Sequence, residues 1–106
     1  MQTLGELVGR LGPLRVRDAI GWTLRAASSV YELHQAGRAH GKIGRDAIEV
    51  EFADCSSQGV LCWPGRLEPS PAYHSFERGR EGPAGFEDDV WALGVLLYFL
   101  LTGTEP

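Results

Sequence analysis

The stretch 38–47, Arg-Ala-His-Gly-Lys-Ile-Gly-Arg-Asp-Ala, holds His40, Lys42 and Asp46 close together. An imidazole, an ammonium and a carboxylate at that spacing could serve proton transfer. Such a set works only where a nucleophile or a phosphate cradle converges on it, and none does. A scaffold histidine beside two solvated charges is the better reading. Asp54 with Glu49 and Glu51 could hold a divalent cation. Hard cations need several convergent oxygens, so a solvated hairpin face explains these carboxylates better. Cys55 and Cys62 match no zinc spacing, and no second pair completes one. Two buried thiols in a reducing compartment fit better than a disulfide across a small hairpin.

The composition narrows the chemistry further. The 106 residues carry a net charge of −4 and are 43% hydrophobic, which suits one soluble globular domain. There is no Asn, and Lys42 is the only Lys beside nine Arg. A mechanism needing an Asn metal ligand or a second lysine is therefore excluded. The Arg residues are scattered, so no basic patch for nucleic acid stands out. The N-terminus lacks the pattern of a secretory signal. The longest apolar run, Val90 to Leu101, is twelve residues. A membrane-spanning helix needs about 20, so this run reads as a buried core helix and a cytoplasmic location is expected.

The elements that must position these residues follow from the periodicity. Thr3-Leu4-Gly5-Glu6 is a capping box, and Leu4, Leu7, Val8 and Leu11 recur at helical spacing, which predicts a helix over about 3–12. Gly12-Pro13 ends it. A second helix is expected over about 15–37. One broad face holds Ile20, Leu24, Ala27, Tyr31 and His34, widened by Trp22, Ala26, Val30 and Leu33, and Gly37 closes it. Ile48 to Phe52 alternates apolar and polar residues, and Val60 to Trp63 is a second short strand. Together they predict a hairpin over about 48–63. The segment after it carries four of the six prolines and should be irregular. A last helix is expected over about 87–102, with Glu87, Asp88 and Asp89 favouring its N-terminus and Gly103 closing it. The fold class is thus mainly α with a small β-hairpin.

This order of elements resembles the C-terminal lobe of eukaryotic-type protein kinases, and several stretches support it. Tyr31-Glu32-Leu33-His34-Gln35-Ala36-Gly37-Arg38-Ala39-His40 looks like the family's long helix entering the catalytic loop. Asp89-Val90-Trp91-Ala92-Leu93-Gly94 resembles the start of its central buried helix, and Leu101 to Pro106 continues the likeness. Ser70 to Glu77 is similar to the end of the activation segment, with Glu77 as its glutamate. The resemblance spans the chain as a partial C-lobe. No Gly-rich phosphate loop and no strand bearing an ATP-binding lysine is recognised, so no N-terminal ATP-binding lobe is expected. The layout is also similar to the kinase non-catalytic C-lobe domain, which binds protein segments.

Residue by residue, the resemblance implies a degenerate site. The family's catalytic loop reads H-R-D-L-K-P-x-N, and here it is His40-Gly41-Lys42-Ile43-Gly44-Arg45-Asp46-Ala47. The position of the carboxylate that accepts the substrate proton holds Lys42, which cannot accept it. The phosphate-steadying Lys position is Gly44, the magnesium-holding Asn position is Ala47, and Gly41 replaces the Arg that receives a phosphorylated activation loop. For the metal-binding D-F-G motif, Asp54-Cys55-Ser56 lies too close to Ala47 to leave room for both strands. Trp63-Pro64-Gly65 is the favoured placement, and it lacks the Asp. His40, Glu77, Asp89, Trp91 and Gly94 are retained as scaffold, and Asp89 implies hydrogen bonds to the backbone around His40.

Neither catalysis, ATP, magnesium nor any other cofactor is expected from these substitutions. A catalytically inactive scaffold or regulatory module that binds protein is expected instead. The alternative is a fragment of a serine/threonine kinase completed by missing segments or by another chain. The last helix is apolar nearly all round, and exposing several large side chains costs about 1.5–3 kcal/mol each. Docking of a protein partner or a second copy is therefore expected through Trp91, Val95, Tyr98 and Phe99, with neither nucleic acid nor membrane as partner.

Overall fold

The computed structural model of the chain describes residues 2–50, 61–62, 73 and 85–106. Three helices carry most of the described residues. α1 spans Leu4–Leu11, α2 Val16–Gln35 and α3 Phe86–Thr102, with strands β1 (Gln2–Thr3), β2 (Glu49–Val50) and β3 (Leu61–Cys62). The mainly helical class with a small antiparallel sheet is as expected. The sheet, however, has three strands in the order β1-β2-β3, so the chain's first residues join the hairpin. Gln2 pairs with Val50, and Glu49 with Cys62. A two-residue strand is too short to show an alternating pattern, which is why β1 escapes the periodicity.

Local chemistry sets the helix ends. The Glu6 N–H donates to Thr3 Oγ1 at 3.0 Å, and the Thr3 N–H donates to Glu6 Oε1 at 3.0 Å, so the capping box forms at α1. Thr3 thereby ends β1 and caps α1 at once. α2 closes with Gly37 at φ +79, its N–H on His34 O and the Arg38 N–H on Leu33 O at 2.9 Å. This paired pattern satisfies two of the helix's last carbonyls. Gly103 takes φ +82 after α3 and donates to Phe99 O at 2.7 Å. At the start of α3 the Gly85 N–H donates to Asp88 Oδ2 at 2.6 Å.

α2 and α3 are the main packing pair. The Leu14 N–H, just before α2, donates to Leu100 O at 2.8 Å, and His34 near the end of α2 meets Asp89 near the start of α3. The two helices are therefore antiparallel. Between them and α1 lies the core, which includes Leu4, Leu7, Trp22, Val30, Ile43, Ile48, Leu96, Phe99 and Leu100.

Two expectations about faces are corrected. The buried stripe of α2 is Ala19, Trp22, Ala26 and Val30, whereas Ile20, Leu24 and Tyr31 are exposed. The small Ala19 and Ala26 side chains suit close helix packing, which larger ones would hinder. α3 is likewise not buried all round. Val95 and Phe99, expected on an interaction face with Trp91 and Tyr98, sit in the core, while Trp91 and Tyr98 are exposed. Those four side chains cannot form one open surface.

Candidate functional site

The loop after α2 is held by one carboxylate. Asp89, in the first turn of α3, is 1% exposed and lies under residues 40 and 41. Its Oδ2 accepts from the His40 N–H at 2.7 Å, and its Oδ1 accepts from the Gly41 N–H at 2.9 Å. His34 Nε2, from the last turn of α2, lies 2.7 Å from Asp89 Oδ2. The His34 ring in turn stacks on Phe86, with centroids 4.3 Å apart and planes 18° from parallel. Gly41 takes φ +81, a left-handed turn that glycine adopts without penalty. Asp89 thus ties the end of α2, the loop and the start of α3 together. A buried carboxylate survives only when donors meet it in this way.

The candidate residues of the loop have different partners. His40 is half-buried, and its Nδ1 accepts from the Lys42 N–H at 3.1 Å. Burial, the largest cause, lowers its pKa from the ordinary value; Asp89 opposes that shift and Lys42 adds to it. Both the acceptor role of Nδ1 and the burial favour a neutral ring. Lys42 is exposed, whereas Ile43, Gly44 and Ala47 are buried. Gly44 and Ala47 offer no side-chain donor or ligand, and the Ala47 N–H bonds Gly44 O at 3.1 Å. Asp46 Oδ1 accepts from Thr3 Oγ1 at 3.1 Å, so this carboxylate braces the start of α1. Gly94 is exposed, with open space where a Cβ would stand. Trp63, Pro64, Gly65, Glu77, Asp54, Cys55 and Glu51 lie outside the described residues. Among the described residues no three His, Cys, Asp or Glu side chains gather as metal ligands, and no helix is long and apolar enough to cross a membrane.

A second cluster is absent from the sequence reading. Tyr73 is buried, and burial first, then the neighbouring Glu105 carboxylate, pushes its hydroxyl well above the usual tyrosine range. Arg45 Nε lies 3.8 Å from Glu105 Oε2 and 3.7 Å from Asp46 Oδ2, with its guanidinium 5.1 Å from the centroid of the Phe99 ring. Beside it runs an open groove of about 260 Å³ between α1 and the end of α3, walled by Gly5, Gly9 and Gly12 and by Phe99, Thr102 and Gly103. No local pattern joins residues 45, 73 and 105. The role of His34 was equally hidden, since its partner is 55 residues away. Its place at the edge of the buried stripe of α2 was the only available sign.

No protein-family profile matches the chain. Curated relatives do. The serine/threonine-protein kinase PknL of Mycobacterium tuberculosis is 29% identical over 115 residues, covering 98% of this chain and 29% of the relative. The serine/threonine-protein kinase PrkC of Bacillus subtilis is 28% identical over 115 residues, covering 98% of this chain and 18% of the relative. The chain therefore spans under a third of the length of either. These likenesses make the chain similar to one stretch of serine/threonine protein kinases.

Proposed function

We propose that this chain is a kinase-related module that performs no phosphoryl transfer of its own and acts through protein contacts. The observation that carries the reading is the loop from His40 to Ala47. In the alignment of motifs, Lys42 stands where a kinase needs a proton-accepting carboxylate, Gly44 where it needs a phosphate-steadying ammonium and Ala47 where it needs a metal-holding amide. Lys42 is exposed and cationic, and Gly44 and Ala47 are buried without polar side chains. Such a loop carries neither a base nor a magnesium ligand at the positions where a kinase needs them, and phosphoryl transfer depends on both positioning and charge stabilisation. The Asp89 hydrogen bonds keep the loop's shape regardless of that chemistry, which fits a retained scaffold.

A second reading rests on the relatives' names. A chain matched along 98% of its length to serine/threonine kinases could be a segment of a working kinase completed by further segments or another chain. That reading requires the missing base and metal ligands to come from elsewhere. Thermal unfolding with and without ATP and magnesium separates the two, because a ligand that binds only the native state raises its melting temperature. An unchanged Tm at millimolar ATP–magnesium is the expected result. A concentration-dependent rise would overturn the non-catalytic reading.

A further inference from the structure

We propose that the open face of the α2–α3 pair is a homodimer surface, on which a second copy seats its own α2–α3 pair. The inference deepens the interaction-module reading and rests on it for its role, by naming the partner.

The face is built from two stripes. On α2 the residues Val16, Ile20, Leu24, Ala27 and Tyr31 recur at helical spacing beside the buried stripe, and Leu24 and Tyr31 are 61% and 62% exposed. On α3 the residues Phe86, Val90, Leu93, Leu97 and Leu101 do the same. Val90 is 65% exposed, and the last three leucines are only partly buried against the core. The stripes adjoin. His34, three residues beyond Tyr31 on the same side of α2, stacks on Phe86 at one end of the pair. At the other end Leu14 bonds Leu100, so the antiparallel helices stay in contact along their length.

All ten side chains are uncharged. Sixteen residues on each helix, rising about 1.5 Å per step, make the face roughly 22 Å long. Its exposed area is on the order of 600 Å², at the upper end of what the largest apolar patch of a monomer reaches. A standard interface buries about 800 Å² on each partner, so this face and its margins come close to the area that a stable dimer needs. An uncharged apolar face meets its own copy without like-charge repulsion. A two-fold axis would set stripe against stripe and close the assembly. Two antiparallel helix pairs packed in this way make a four-helix layer, whose helices cross at about 20°.

Light scattering and sedimentation equilibrium of the 106-residue chain test the proposal. The expected mass is that of two chains at micromolar concentration. Leu24→Glu and Val90→Glu, each on an exposed side chain, should weaken association at least tenfold while leaving the helical circular dichroism intact. Tyr98→Glu, on the other flank of α3, should leave the dimer unchanged. A monomer at every concentration overturns the proposal. So does a dimer that survives both Leu24→Glu and Val90→Glu, or a mass that climbs without a plateau. None of these results bears on ATP binding, and a Tm raised by ATP–magnesium would not alter the mass, so the two readings fail separately.

Discussion

At the scale of single residues, Asp89 ties together more of the described backbone than its neighbours do. Its carboxylate is almost wholly buried, yet two backbone N–H groups and the His34 ring meet it at 2.7–2.9 Å. Hydrogen bonds to a charged acceptor are worth more than neutral ones, and removing one partner leaves the others buried and unmatched. Asp89→Asn is the sharpest probe. The amide keeps one oxygen but turns an NH2 toward a backbone N–H, so a donor faces a donor. A loss of roughly 2–4 kcal/mol in urea unfolding is expected. A change below about 0.5 kcal/mol would mean that the loop is held by other contacts. The Arg45–Glu105 contact belongs to a weaker class, since Arg45 is nearly half exposed and exposed pairs contribute little.

At the scale of elements, α1 shows how glycine can be required at one position and a liability four residues on. A Cβ at Gly5 would stand 2.5 Å from Asp46 Oδ1, the atom that accepts from Thr3 Oγ1, and would have to displace that brace. A Cβ at Gly9 would meet nothing within 4 Å. Alanine is favoured over glycine inside a helix by about 0.5–1 kcal/mol. Gly9→Ala should therefore stabilise by about that amount, whereas at Gly5 the lost Thr3–Asp46 bond, about 1 kcal/mol, should cancel the gain and leave Gly5→Ala neutral to slightly destabilising. Thermal melts of the two variants check the pair, and equal gains from both would refute the account. The same elements show what was legible beforehand. Helix extents followed from periodicity and from Thr3, Gly37 and Gly103, because caps are local chemistry. The buried face of α2 was drawn too wide because two apolar stripes satisfy one spacing. Trp22, Ala26 and Val30 were placed on it and are buried, but the larger side chains of Ile20, Leu24 and Tyr31 were counted with them and are exposed, while the small Ala19 on the packing face was left out. Asp89 was visible only through a resemblance, and the Arg45, Tyr73 and Glu105 cluster through nothing, because long-range contacts leave no periodic trace.

At the scale of the whole molecule, the half-buried His40 couples the fold to pH. Its ring is neutral in the fold, with Nδ1 accepting from the Lys42 backbone, and burial holds its pKa below the free value of 6.5. Asp89 pulls the other way and Lys42 adds to the lowering, so the net direction is downward. A depressed folded-state pKa means that the unfolded chain takes up a proton first as the solution is acidified. The stability that the neutral ring contributes is then complete above pH 6.5 and is lost progressively below it, as pH falls toward the folded-state value. The loss should begin before the bulk of the carboxylates titrate, near pH 4. Urea unfolding from pH 7.5 to 5.5 should therefore show stability falling with acid, and His40→Gln, which has no titrating group, should flatten that slope. An identical slope in the variant would show that the acid sensitivity arises elsewhere.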